Sequence, residues 1–164
     1  MKFLGLRPEM GVGFYLRDFW FRKVLRQNAD ASWAVHYTST LIDPKKIRRG
    51  KGVYPGDSPG NYIQAINGIT IGDYTNIGPN VGIISANHDP LDNQKHLPCP
   101  PILIGKFCWI GMGAVILPGV QLGDNVIVGA NAVVTKSFEQ GHCIIAGNPA
   151  KVIKSLKRDN PSAS

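Results

Sequence analysis

Residues 104–134 read IGKFCWIGMGAVILPGVQLGDNVIVGANAVV, and every sixth residue of that stretch is aliphatic: Ile104, Ile110, Ile116, Leu122, Val128, Val134. A stride of six matches neither the 3.6 of an amphipathic helix nor the alternation of a half-buried strand. It is the stride of a solenoid, in which each short strand is followed by a tight turn and every repeat sends one side chain inward. The fifth member of each repeat is also small or aliphatic: Cys108, Ala114, Val120, Val126, Ala132. The second is often glycine (Gly105, Gly111, Gly123, Gly129), which permits backbone angles or close approaches that a Cβ would forbid. Three such repeats close one triangular coil.

Upstream the same beat runs Leu41, Ile47, Val53, Pro59, Ala65, Ile71, Ile77, Ile83. The expectation is therefore about 15 repeats in about five coils, broken once. The interval from Ile83 to Ile104 is three and a half strides, so the beat resumes half a stride out of phase. Something is inserted there, predicted to leave the solenoid as a loop over 89–97 with His88 at its root. After Phe138 the beat stops. Ala146-Gly-Asn-Pro-Ala150 reads as a tight turn, Lys151–Arg158 as a short helix and Asn160–Ser164 as a frayed tail. The chain thus divides into an N-terminal helical cap over 1–40, a repeat region over 41–139 and a C-terminal segment over 140–164. The fold class is all-β.

The 164 residues amount to one domain, and 19 glycines with 12 prolines suit a turn-dense β fold. The formal charge of +7 is unevenly placed: residues 1–51 hold 11 of the 18 Lys and Arg against four acids. The rest carries seven of each sign. A basic N-terminal third is either a solvated face or a contact for something anionic, and no nucleic-acid module is present. No signal peptide is expected, since Met1–Leu6 lacks an adequate apolar core, and no apolar run is long enough to span a membrane. Three cysteines (Cys99, Cys108, Cys143) without CxxC spacing point to a reducing compartment, hence a cytoplasmic chain. Residues 14–27, FYLRDFWFRKVLRQ, are predicted helical, mixing aromatics with cations. Such a helix either buries its aromatics as a cap on the open end of the solenoid or lies at a membrane interface.

Several motifs carry a family resemblance. They are the loop after Asn87-His88, Phe107-Cys108-Trp109-Ile110-Gly111, Pro118-Gly119-Val120, Gly129-Ala130, Val133-Val134-Thr135-Lys136 and Ala146-Gly-Asn-Pro-Ala-Lys151. Together they resemble the hexapeptide-repeat acyltransferases, nearest the galactoside, maltose and xenobiotic O-acetyltransferases and their surface-polysaccharide relatives. The resemblance implies a left-handed parallel β-helix, a homotrimer with active sites between neighbouring prisms, and acetyl-CoA as co-substrate. The handedness rests on the family alone, since crossovers in ordinary sheets are right-handed.

Moving acetyl from a thioester to a hydroxyl needs a base, and an imidazole with a pKa near ~6.5 suits that task at neutral pH. Of His36, His88, His96 and His142, His88 stands at the loop root and falls on the family's general base. Asn87 or Asp89 are candidates to fix its tautomer, and His96 across the loop is a candidate acceptor contact. Backbone N–H groups of the Gly111-Met112-Gly113 turn are candidates for an oxyanion site, Met112 above all by resemblance. Trp109 matches a family position beside the pantetheine, and strand edges near Gly111 and Ala130 would bind its arm. Thr135 and Lys136 match positions near the CoA nucleotide, and Lys151 or Lys154 would pair with its phosphates. Asn61, Tyr62 and Gln64, one coil below His88, are the candidate acceptor residues. The aromatic, basic N-terminus departs from the galactoside and maltose enzymes and suits a lipid-linked or anionic glycan. A non-sugar acceptor and a non-catalytic trimeric scaffold are the alternatives. A zinc site is not expected, because His88 and His96 are eight apart and no third histidine is near in sequence. Cys108, inward in the repeat, reads as core, and nothing obvious activates Cys99.

Overall fold

The computed structural model describes residues 10–156. Short parallel strands stack into three sheets that form the sides of a prism, as the stride of six predicts. The first face stacks Thr40–Ile42, Tyr62–Gln64, Gly82–Ile84, Val115–Ile116 and Val133–Val134. The second stacks Ile47–Arg49, Ile69–Ile71, Ile102–Ile104 and Gln121–Leu122, with Phe138 bridging onto Leu122 above it. The third stacks Asn76–Ile77, Trp109–Ile110, Val126–Val128 and Cys143–Ala146. Inward rows such as Ile63–Ile83–Ile116–Val134 run up the prism, and each of those four side chains is 0% exposed. Burying such a side chain stabilises by about 1.5–3 kcal/mol, so the core is a column of equal contributions.

In the upper half each coil is three strides long: Ile104 faces Leu122, Ile110 faces Val128, Ile116 faces Val134. The lower coils are longer. Leu41 faces Ile63 and Ile47 faces Ile69, a step of 22, while Ile63 faces Ile83, a step of 20. The expectation of one break is therefore corrected: the beat also slips by two positions at several lower corners. Pro59 is exposed in a turn, and the inward position of its coil on the first face belongs to Ile63. The largest break behaves as expected, with Ile71 facing Ile104 and Ile83 facing Ile116, a step of 33.

The C-terminal expectation is overturned in two respects. Stacking continues past Phe138, because Cys143–Ala146 pairs in parallel with Val126–Val128. Lys151–Ser155 is a strand, antiparallel to Cys143–Ala146, rather than a helix. The free edge of the third face offers unpaired backbone groups, and β-branched Val152 and Ile153 suit a strand laid along it. The predicted tail at 160–164 lies outside the described residues.

At the other end, Val12–Phe19 is α-helical and continues as a π-helical stretch, Trp20–Val24. Arg26 (φ 64°) and Asn28 (φ 54°) then turn the chain toward the prism. Asp18 is buried, accepting from the Val35 N–H at 2.9 Å and from Arg22 at 2.8 and 3.0 Å. Arg22 also donates to the Ala31 carbonyl at 2.7 Å, so the helix side facing the protein combines this buried polar pair with half-buried Phe14 and Phe21, whose rings lie 6.2 Å from His36 and 4.9 Å from Tyr37. The rest of its apolar residues are not buried: Leu16, Phe19, Trp20, Val24 and Leu25 are each about half to two-thirds exposed. The expected cap forms only in part: Phe14, Tyr15 and Phe21 are half-buried, whereas Phe19 and Trp20 stay exposed. Trp33 of the following connector is buried, with its indole N–H donating to the Pro55 carbonyl at 2.8 Å.

Candidate active site

The insertion is a β-hairpin. His88–Asp89 pairs antiparallel with Asp92–His96, and His88 lies directly across from His96. Their imidazoles sit 4.4 Å apart between centroids, tilted by 37°, and both side chains are open to solvent. His96 thus contacts the candidate base itself. Asp89 Oδ1 accepts from the Leu91 N–H at 2.8 Å, closing the hairpin turn rather than serving the imidazole. Asn87 contributes its carbonyl to the Leu97 N–H at 2.9 Å.

The hairpin root is held from the coil below. Asn67 Nδ2 donates to the Ser85 carbonyl at 2.9 Å and to the Leu97 carbonyl at 3.0 Å, joining both ends of the excursion. The Asn67 N–H donates to Ser85 Oγ, and the Ala86 N–H donates to Gln64 Oε1, both at 2.9 Å. Gln64 is therefore spent as a clamp and is buried, not presented to an acceptor. Asn61 is buried too, its Nδ2 donating to the Gly78 carbonyl at 2.8 Å while Oδ1 has no partner. Of that trio only Tyr62 faces solvent. Sequence reasoning misses Asn67 and Ser85; the available signal is the step of eight from Ile63 to Ile71 around the corner they occupy. Beside them lies a hollow of about 430 Å³ lined by Lys45, Lys46, Arg48, Asn67, Thr70 and Pro101, among others. Lys45 is paired with Asp30 at 2.9 Å and Lys46 with Asp43 at 3.1 Å.

The residues assigned to CoA lie elsewhere on the prism. Strand registers put Asn76, Trp109, Ile127, Ile144 and Lys154 in one outward row across the third face. Beyond Asn76, that row is an exposed indole, two half-buried aliphatics and then a cation. Beside it runs a corner with no room for side chains. A Cβ on Gly111 would stand 2.7 Å from the Val128 carbonyl oxygen and 2.8 Å from the Ala130 nitrogen. In the Gly111-Met112-Gly113 turn, Gly111 N–H is bound to the Val128 carbonyl and Gly113 N–H to the Pro79 carbonyl. Met112 is left as that turn's candidate oxyanion donor, and its side chain is exposed. Ala130 lies at the same corner, one coil up, and Lys151 opens the edge strand. Thr135 and Lys136 follow the last first-face strand, and Lys136 Nζ lies 5.8 Å from the Phe138 ring centroid. His88 follows the first face and Met112 follows the third, so one prism carries the two halves of the candidate site on different edges.

Among the described residues no group of three or more His, Cys, Asp or Glu is placed to hold a metal ion. All three cysteines are free. Burial, foremost, pushes the Cys108 and Cys143 thiols above their ordinary range. Cys108 is core, as its repeat position implies.

Residues 101–136 match the model of the bacterial transferase hexapeptide (six repeats). Nodulation protein L of Rhizobium leguminosarum bv. viciae is 47% identical over 80 residues, 45% of this chain and 40% of that protein. The matched stretch spans less than half the length of that curated relative. The crystal structure of the hexapeptide-repeat containing acetyltransferase VCA0836 from Vibrio cholerae is 30% identical, covering 74% of this chain and 72% of that one, with a TM-score of 0.56. A galactoside acetyltransferase in complex with coenzyme A, 27% identical, covers 95% of this chain and 76% of that one, with a TM-score of 0.69. Repeat stride, three-sided prism and these likenesses agree: the chain belongs to the hexapeptide-repeat transferase family, built on the left-handed parallel β-helix.

Proposed function

We propose that the chain is an acetyl-CoA-dependent O-acetyltransferase acting on a hydroxyl of a sugar or glycan precursor, with His88 as general base in one direct transfer. The observation that carries this is His88 itself, lifted from the prism at the root of the hairpin, open to solvent and backed by His96. A ring so held is free to take the proton of an acceptor hydroxyl as that oxygen attacks the thioester carbonyl. The Met112 N–H would donate to the oxyanion as it forms. Collapse breaks the C–S bond, and the imidazolium returns its proton to the departing thiolate. No covalent enzyme intermediate is needed, consistent with Cys108 being buried and protonated.

The third-face row suits the co-substrate: Trp109 beside the thioester end, Ile127 and Ile144 under the pantetheine, and Lys154 toward the phosphates, with Lys151, Thr135 and Lys136 nearby in the family pattern. Relatives of the same fold are described with coenzyme A and with acetyl-CoA. Because His88 and Met112 stand on different edges of one prism, a complete site takes one edge from each of two neighbouring copies, which supports a homotrimer. In the hollow beside the hairpin root Lys45 and Lys46 are paired with Asp30 and Asp43, so it is Arg48 that supports an acceptor carrying a carboxylate or phosphate. Three free thiols support a cytoplasmic setting.

The test is His88→Ala. Acetyl transfer should fall by about 100-fold or more with CoA affinity retained; undiminished turnover would remove the mechanism. Thiol release from acetyl-CoA, screened against neutral sugars, anionic sugars, nucleotide-sugars, amino acids and aminoglycosides, identifies the acceptor class. Release with amino acids or aminoglycosides alone would replace the sugar reading, and release with none would leave the trimeric scaffold.

A further inference from the structure

The N-terminal helix leaves a row of large apolar side chains in water. Its polar residues, Asp18 and Arg22, are turned toward the body, where they satisfy the Val35 N–H and the Ala31 carbonyl. Phe14 and Phe21 also turn that way, half-buried beside His36 and Tyr37, but a second set of apolar residues points away: Val12 is 76% exposed, Leu16 66%, Phe19 61% and Trp20 55%. These four recur at helical spacing, and Val24 extends the stripe through the π-helical stretch. One continuous exposed ridge results, on a helix whose orientation is fixed by buried hydrogen bonds.

Charge identifies the occupant. Between Gly11 and Ala29 the only acid is Asp18, already buried and held by Arg22. Arg17, Lys23 and Arg26 are exposed, so the ridge is flanked by cations with no exposed anion on its own segment. An amphipathic helix with an aromatic-aliphatic face and basic flanks fits the interface of an anionic bilayer, ring bodies at the acyl boundary and cations among the headgroups. No helix among the described residues is long and apolar enough to cross a membrane, so contact through this helix is peripheral. We infer that the ridge Val12–Leu16–Phe19–Trp20–Val24 docks the protein onto an anionic lipid surface. This stands independently of the acetyl-transfer reading.

The experiment is co-sedimentation of the full chain with vesicles of phosphatidylcholine, either alone or with phosphatidylserine replacing about one lipid in three, alongside light-scattering mass in solution. The wild type should sediment with the anionic vesicles and leave the neutral ones largely free. Phe19→Ser/Trp20→Ser should lose roughly ten-fold or more in affinity, with unchanged mass and thermal midpoint. Arg17→Gln/Lys23→Gln/Arg26→Gln should lose about five-fold per charge on anionic vesicles, and high salt should reproduce the loss. Wild-type protein that stays in the supernatant, or a serine variant that binds undiminished, overturns the inference. So does a serine variant whose mass drops, because the ridge is then covered by a second copy of this chain.

Discussion

Asn67→Ala tests whether the hairpin bearing His88 is set by its own turn or by the coil beneath it. The substitution deletes two donated bonds, to the carbonyls of Ser85 and Leu97, and with them the side-chain link between the two ends of the excursion. Each such bond contributes about 0.5–1.5 kcal/mol net, and Leu97 is solvent-exposed, so water recovers part of its share. The expected loss is about 1–2 kcal/mol, confined to the excursion. That corresponds to roughly 5–30-fold in the opening equilibrium. Native-state amide hydrogen exchange reads it directly. The Leu97 N–H, bound to the Asn87 carbonyl, should exchange faster by that factor. The Gly105 and Gly111 N–H groups, bound between coils, should keep their protection. Unchanged exchange at Leu97 would refute the clamp. Loss of protection at Leu97 and the coil amides together would show that Asn67 holds the prism rather than the excursion.

Three other outcomes follow from the same geometry. Gly111→Ala drives a Cβ into backbone atoms of the coil above, which cannot step aside as a side chain can; urea unfolding should show about 1–3 kcal/mol lost. Trp109→Ala removes a ring that is 58% exposed, so the thermal midpoint should move little while coenzyme A affinity by calorimetry falls about ten-fold. The Cys108 thiol is raised in the folded state by burial, so the native chain retains a proton that the unfolded chain gives up above its ordinary value of 9.0. Stability should be whole below that value and fall above it, by up to about 1.4 kcal/mol per pH unit for this thiol. A Cys108→Ala variant should show a shallower alkaline fall in urea titrations.

The upper coils are legible because their steps are uniform: between Ile104 and Val134 every sixth residue is inward, with no slip at any corner. Lower down, Val53 and Ala65 are buried residues that happen to keep the count going while the true row shifts to Ile63. Pro59 is the one sign of the slip. The C-terminal strand escapes a sequence reading because KVIKS has both helical charge spacing and β-branched residues. What decides between them is the open edge at Cys143–Ala146, itself placed by pairing with Val126–Val128 a coil below and invisible to local pattern. His88 can be found because an insertion of the wrong length announces itself as a phase error. Its clamp cannot, since Gln64, Asn67 and Ser85 are ordinary corner residues until the coil places them under the hairpin. The burial of Asn61 and Gln64 is hidden for the same reason: a polar side chain at a corner faces either water or the next coil, and composition does not say which.

The uniform coil of the upper half makes the prism a graduated rule, one mark per strand spacing of ~4.8 Å. From Trp109 through Ile127 and Ile144 to Lys154 is three marks, or ~14 Å. Removing or duplicating one whole coil between Gly111 and Val128 would move Lys154 by one mark while every inward row stays in phase. The reach between the indole and the cation is thus a whole number of coils, adjustable by editing chain length without redesigning the core.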